Sequence, residues 1–318
     1  MSDKIKILSD GVLNGNHLAI AKSMTLIENE QDSYQELLDS LHRHTGNSYR
    51  IGITGPPGVG KSTITNQMAK ILRRNNFSLG IVAVDPTSSF SGGAILGDRV
   101  RMNDLTLDNG VFIRSMATRG SSGGLARKAN EVADILDAAG YNYIIYETVG
   151  VGQVELDIAN AADTTIVMMV PEGGDIIQGM KSGLMEIGDI FVVNKADRPG
   201  AEQMQQDLVY ALHLKKPSIP WNPEVILTIA NRGKGILDLW EQIQKHKQFL
   251  NDNDLLDQKR DKRLEFHIKA LIRDEITKRF WNNKREKVLN DYFQSMKDKI
   301  SPYKLVEHML SELIKKIE

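Results

Sequence analysis

An α/β fold, with a mostly parallel central sheet covered by helices on both faces, is what this sequence predicts. Seven short Ile- and Val-rich runs stand between residues 49 and 245, each too short for a helix and each closed by turn residues. Between them lie helical patterns such as KSTITNQMAKIL and LARKANEVADILDAAG. Strand, loop and helix in alternation imply parallel strands joined by crossovers, with ligands at the carboxyl ends of the strands.

The elements follow in chain order. Residues 1–48 carry Leu18, Ile20, Ala21, Met24, Ile27, Leu37, Leu38 and Leu41 at helical spacing, and form an N-terminal helical extension. Residues 49–245 hold the runs YRIGITG, LGIVAVDP, VFIRSMAT, YNYIIYET, TTIVMMVP, DIFVVNKAD and EVILTIA. From residue 246 to 318 the strands stop. Ile268, Leu271, Ile272 and Ile276 make one helical stripe, and Ser301 and Pro302 open a last helix as N-cap and first helical residue. These stripes either fold back on the sheet or pair with a second copy of the chain. The charged segment at 251–263 reads as a linker.

Composition narrows the classes of function. A chain of 318 residues accommodates one large α/β domain with helical additions. Its net charge of −1 speaks against a nucleic-acid binder. The absence of cysteine removes disulfides, thiolate metal sites and Cys nucleophiles. No signal-like N-terminus and no stretch of about 18 apolar residues is present, so a cytoplasmic protein without membrane attachment is expected.

The chemistry is concentrated at strand ends. GPPGVGKST fits G-x-x-x-x-G-K-[ST] between a strand and a helix, which makes the central domain a P-loop NTPase. Gly58, Val59 and Gly60 let backbone N–H groups turn toward phosphate oxygens. Lys61 reaches the β and γ phosphates, and Ser62 ligates Mg²⁺. NKAD ends a later strand. Asp197 there accepts two hydrogen bonds from guanine, while adenine would leave the carboxylate unpaired at a cost of a few kcal/mol. Asn194 braces neighbouring loops, the Lys195 stem lies along the base, and the Ala230 backbone N–H supplies the last base contact. Asp85 stands at a strand end beside the phosphate loop and belongs to the metal shell. Asp98 has two readings, a magnesium ligand or the N-cap of RVRMNDL.

Together GPPGVGKST, VDPTSSFSGGAILGDRVRM, TRGSSGGLARKANE, ETVGVGQVE and NKAD resemble the MeaB/ArgK family of P-loop GTPases, over nearly the whole chain. The resemblance implies a GTP/GDP- and Mg²⁺-binding homodimer with a C-terminal helical dimerisation arm. It implies a chaperone that gates adenosylcobalamin loading and protects a cobalamin-dependent acyl-CoA mutase, chiefly methylmalonyl-CoA mutase. Carried over residue by residue, Lys61, Ser62 and Thr63 hold phosphates and Mg²⁺, and Asp85, Asp98 and Glu147 form the metal and switch network. Asn194, Lys195 and Asp197 hold guanine. A third switch maps onto Asp175, Gln178 and Lys181. Where relatives often read T-S-A at the base loop, this chain reads Thr228, Ile229, Ala230, so a serine contact is lost.

Glu147 stands where aspartate is usual, one methylene longer, and is expected to act on Mg²⁺ through a water or a hydrogen-bonded ligand. Gly150 supplies an N–H to the γ-phosphate, with Gly152 as hinge. Gln153 lies three residues past Gly150 and Val151 takes the adjacent place, so slow intrinsic hydrolysis that accelerates with a partner is expected. Arg99, Arg101, Arg114 and Arg119 are candidate cations for the transition state. Two rival functions remain. A nickel-insertion GTPase of related architecture would want a metal site that seven scattered His and no Cys do not supply. A kinase or ATPase linked to lysine, arginine and ornithine transport is opposed by NKAD.

Overall fold

The computed structural model describes residues 2–85, 105, 107–117, 128–148, 154–171, 183–214, 221–294 and 301–314. All seven apolar runs are strands: β1 (Tyr49–Thr54), β2 (Leu79–Asp85), β3 (Val111–Ala117), β4 (Tyr143–Thr148), β5 (Thr164–Met169), β6 (Ile190–Asn194) and β7 (Val225–Thr228). They form one sheet in the order β3-β2-β4-β1-β5-β6-β7, and each pairing between them is parallel. β1, β4, β5 and β6 are buried along their whole length, which is why they read as continuous apolar runs.

Helices cover both faces. Three N-terminal helices, α1 (Asp3–Leu13), α2 (His17–Glu28) and α3 (Tyr34–His42), share a core with α5 (Ala129–Ala138) and with Val82, Val84, Ile144 and Tyr146. Of the apolar positions that predicted this extension, Ile20, Met24, Ile27, Leu37 and Leu41 are buried, whereas Leu18 is exposed. The alternate side chains Ile81, Tyr143 and Ile145 face the opposite core, with α4 (Lys61–Arg74) and α9 (Ile236–Asp252). A third cluster sets Val167, Met169, Phe191 and Val193 against α7 (Leu184–Ile187) and α8 (Ala201–Leu214). Each fully buried Ile or Leu contributes about 1.5–3 kcal/mol, so the period-two alternation fixes register on both faces. One further helix, α6 (Val154–Ala161), joins β4 to β5.

From β1 the chain fills one side of the sheet with β2, β3 and β4, the last returning beside β1, and then the other side with β5, β6 and β7. The point of reversal therefore lies at the carboxyl end of β1, where a crevice opens in such sheets.

The amino-terminal rim of the same sheet is closed by charge. The Asp137 carboxylate accepts the backbone N–H groups of Gly46 (2.8 Å), Asn47 (3.1 Å) and Ser48 (2.9 Å). Asp163 accepts from the Arg50 N–H at 2.9 Å, and Asp189 from the Thr165 N–H at 2.8 Å. The buried Arg50 guanidinium donates to Asp134 at 2.5 Å and lies 3.5 Å from Asp137. Lys259 donates to the Asp163 carbonyl (2.9 Å) and to Asp189 (3.0 Å), and Arg260 to the carbonyls of Gly46 (2.6 Å) and Ser48 (3.1 Å). His246 sits among them, its Nδ1 2.8 Å from the Thr164 hydroxyl and its Nε2 3.5 Å from Asp189. Burial pushes its pKa down to about 4, against the pull of Asp189.

The chain folds as two compact units, Met1–Arg260 and Asp261–Glu318. The charged segment read as a linker is helical apart from a turn at Asn253 and Asp254. It spans the end of α9 and the start of α10 (Leu255–Phe280), where Lys259 and Arg260 find acceptors far away in the chain that local charge density cannot reveal. The second unit continues with α11 (Asn283–Gln294) and α12 (Pro302–Ile314). The Ser301 hydroxyl accepts from the Lys304 N–H, as its N-cap position predicts. Leu264, Ile268, Leu271, Ile272 and Ile276 of α10 are each more than 40% exposed. Among the described residues, no helix is long and apolar enough to cross a membrane.

Candidate functional site

The phosphate loop leaves β1 at Thr54 and enters α4 at Lys61. Its glycines answer to specific neighbours. Gly55 has φ 136°, and a Cβ there would collide with the Met168 carbonyl oxygen. Gly60 has φ 100°, and a Cβ would strike the Asn194 side-chain amide. Gly58 also lies in the left-handed region at φ 78°, yet a Cβ there would meet nothing within 4 Å. The first two glycines permit close packing, while the third faces open space.

Lys61 is buried to 6% exposure, and its ammonium donates to the carbonyls of Gly55 (2.7 Å) and Pro56 (2.8 Å). Ser62 donates its hydroxyl to the Glu147 carboxylate. Glu147 comes from β4, paired in register with Ile53 of β1, and is 4% exposed. Thr148 reaches back to Thr54 at 3.4 Å. A hydroxyl and a buried carboxylate in contact, beside a lysine at a helix N-terminus, are the donor set that a magnesium-bound phosphate chain requires. The residues present thus fit that group.

NKAD, the phosphate loop and the loop at Thr228–Ala230 are joined through Asn194. This residue ends β6 and is 3% exposed. Its amide N–H donates to the Val59 carbonyl at 2.7 Å, which ties NKAD to the phosphate loop. Its Oδ1 accepts from the Thr228 hydroxyl (3.0 Å) and from the Ala230 N–H (3.1 Å). The Ala230 N–H assigned from sequence to the base is therefore engaged by Asn194 in this structure. Lys195 adopts a left-handed backbone, φ 59°. Asp197 is 38% exposed, with the Arg232 guanidinium 3.9 Å away.

The other expected residues divide in two. Asp85 ends β2, opposite Ala117 of β3, at the same carboxyl rim. Asp98, Gly150, Gly152, Gln153, Asp175, Gln178 and Lys181, with Arg99, Arg101 and Arg119, lie outside the described residues. Arg114 is spoken for: it donates to Glu28 (2.6 Å) and Thr25 (3.2 Å) of α2, so it serves the packing of the N-terminal helices. Arg232, beside Asp197, stands two residues past Ala230 and matches no motif, so sequence reasoning did not single it out.

Comparison with known proteins places this geometry. A family described as "Methylmalonyl Co-A mutase-associated GTPase MeaB" matches residues 20–285. A Pyrococcus horikoshii protein named as a GTPase is 44% identical over 311 residues, covering 96% of this chain and 98% of its own. A Mus musculus protein named "Methylmalonic aciduria type A homolog, mitochondrial" is 33% identical over 302 residues, covering 88% of this chain and 73% of its own. The crystal structure titled "LAO/AO transport system kinase" superposes with a TM-score of 0.76 at 28% identity, over 99% of both chains.

Proposed function

This chain belongs to the MeaB family of GTPases, and from that premise we propose that it couples GTP hydrolysis to the care of a cobalamin-dependent acyl-CoA mutase, with methylmalonyl-CoA mutase first among candidates. In this reading it gates the loading of adenosylcobalamin and protects the loaded mutase. The observation that carries the proposal is the family match over residues 20–285, which takes in the phosphate loop, NKAD and the three quoted motifs between them.

The residues divide the work as follows. Asp197 selects guanine, with Asn194 bracing the loop and the Lys195 stem along the base. Lys61 leaves the Gly55 and Pro56 carbonyls close by as it takes up the β and γ phosphates. Ser62 and Thr63 bind phosphate and metal, and Glu147 orients the Ser62 hydroxyl it accepts from. Mg²⁺, which Ser62 and Thr63 would help to hold, would supply neutralisation of phosphate charge. Asp85, Asp98 and Gly150 complete the metal and γ-phosphate contacts, and Asp175, Gln178 and Lys181 relay nucleotide state to the mutase.

Two further assignments go with this reading. The half-exposed stripe on α10 is covered by a second copy, which makes the chain a homodimer. The protein works in the cytoplasm.

The decisive experiment measures the GTPase rate alone and with candidate mutases, each with and without adenosylcobalamin. Acceleration by one mutase, with slow turnover alone, is the expected result. A rate of tens per second for the isolated protein, or indifference to every cobalamin mutase tried, would overturn the chaperone reading.

A further inference from the structure

The Asp197 carboxylate has a demanding task on the reading of it as the guanine selector. It must be ionised to accept two hydrogen bonds, and it gives up water when the base arrives. An isolated carboxylate resists that desolvation unless a cation stands near without consuming its lone pairs.

The geometry points to Arg232 as that cation. Its guanidinium lies 3.9 Å from an Asp197 oxygen, within ion-pair range but too far for a hydrogen bond. The pair therefore leaves the carboxylate lone pairs for the base. The placement is built in. Arg232 closes a 3-10 turn, Ala230–Arg232, whose first N–H is held by Asn194 at 3.1 Å. Its own N–H donates to the Ile229 carbonyl at 2.9 Å, and Ile229 and Lys234 pair across the turn. Gly233 (φ 68°) and Gly235 (φ 77°) provide the left-handed backbone that brings the chain round, and a Cβ at Gly235 would collide with the Leu227 carbonyl oxygen. The Ala196 N–H donates to the Thr228 carbonyl at 3.0 Å, so the Asp197 loop and the Arg232 turn move as one piece.

Arg232 is 69% exposed, so the pair adds little to folding and its removal spares the fold. We propose that Arg232 is a positioning residue for guanine, the neighbouring countercharge that offsets the desolvation of Asp197 as the base displaces its water. This inference rests on Asp197 as the guanine selector.

The test is a series of GDP titrations on the full chain at low salt, with Arg232→Lys, Arg232→Gln and Arg232→Glu. Lys should bind like the wild type, Gln about two- to five-fold more weakly, and Glu more weakly still. KM for GTP should rise with kcat unchanged, and the melting temperature should not move. In an Asp197→Asn background, titrated with xanthosine diphosphate, Arg232→Gln should have no effect. Wild-type GDP affinity in both Gln and Glu variants, or the same loss in the Asp197→Asn background, would overturn the role of Arg232. Undiminished GDP affinity in Asp197→Asn alone would instead sink the guanine reading, and this proposal with it.

Discussion

The two rims of the sheet are made from the same seven strands and are chemically opposite. At the carboxyl rim the contacts come from bare backbone, glycines in left-handed conformations and a few polar side chains, the buried Lys61, Glu147 and Asn194 and the half-buried Ser62. At the amino rim Asp137, Asp163 and Asp189 take up backbone N–H groups, while Arg50, Lys259 and Arg260 answer them. One rim is arranged to receive charge from outside, the other to satisfy its own. The contrast teaches where stability and activity are separable. Changes at the amino rim should damage the fold without altering recognition, and changes at the carboxyl rim should do the reverse.

The largest effect that could break this division is at Arg50. Replacing it with alanine strips a buried cation from Asp134 and Asp137, which should cost about 3–5 kcal/mol in denaturant unfolding. The folded fraction should still bind GDP normally, and a parallel loss of affinity would show that the rims are coupled. At the other rim, Lys61→Ala should lower single-turnover GTP hydrolysis about a hundred- to a thousand-fold. Its stability loss should stay near 1 kcal/mol, since two carbonyl contacts go with the side chain.

A subtler separation comes from pH. His246 titrates near 4 folded and at 6.5 in the reference state. Between those values the unfolded chain binds more protons, so stability is intact above pH 6.5 and falls as pH drops toward 4. The loss should reach about 3 kcal/mol. His246→Gln should flatten unfolding profiles across that window while leaving GDP affinity at each pH unchanged. A profile as steep as the wild type's would move the proton uptake elsewhere.

Much of this was legible from residues alone, for physical reasons that differ by element. The strands announced themselves because parallel strands buried on both faces must be continuously apolar. The phosphate loop was legible because few residue types tolerate φ 78° or 100°. Long-range ion pairs left no local trace. Nothing near Arg50 points to Asp134, which is 84 residues away. Arg114 looked like a free cation only because Glu28 lies on another element, and the run at 251–263 looked like a linker because its acceptors are distant in the chain. Sequence alone does not reveal that the Ala230 N–H donates to the Asn194 side chain.

That side chain has a last consequence. Asn194 divides one amide between the carbonyl of Val59 and the groups of Thr228 and Ala230, so the span from phosphate cradle to base loop is pinned by a single planar group. The site is a caliper. On the proposed reading a free phosphate or a free nucleobase touches one jaw, and only a whole nucleotide has its length gauged by both.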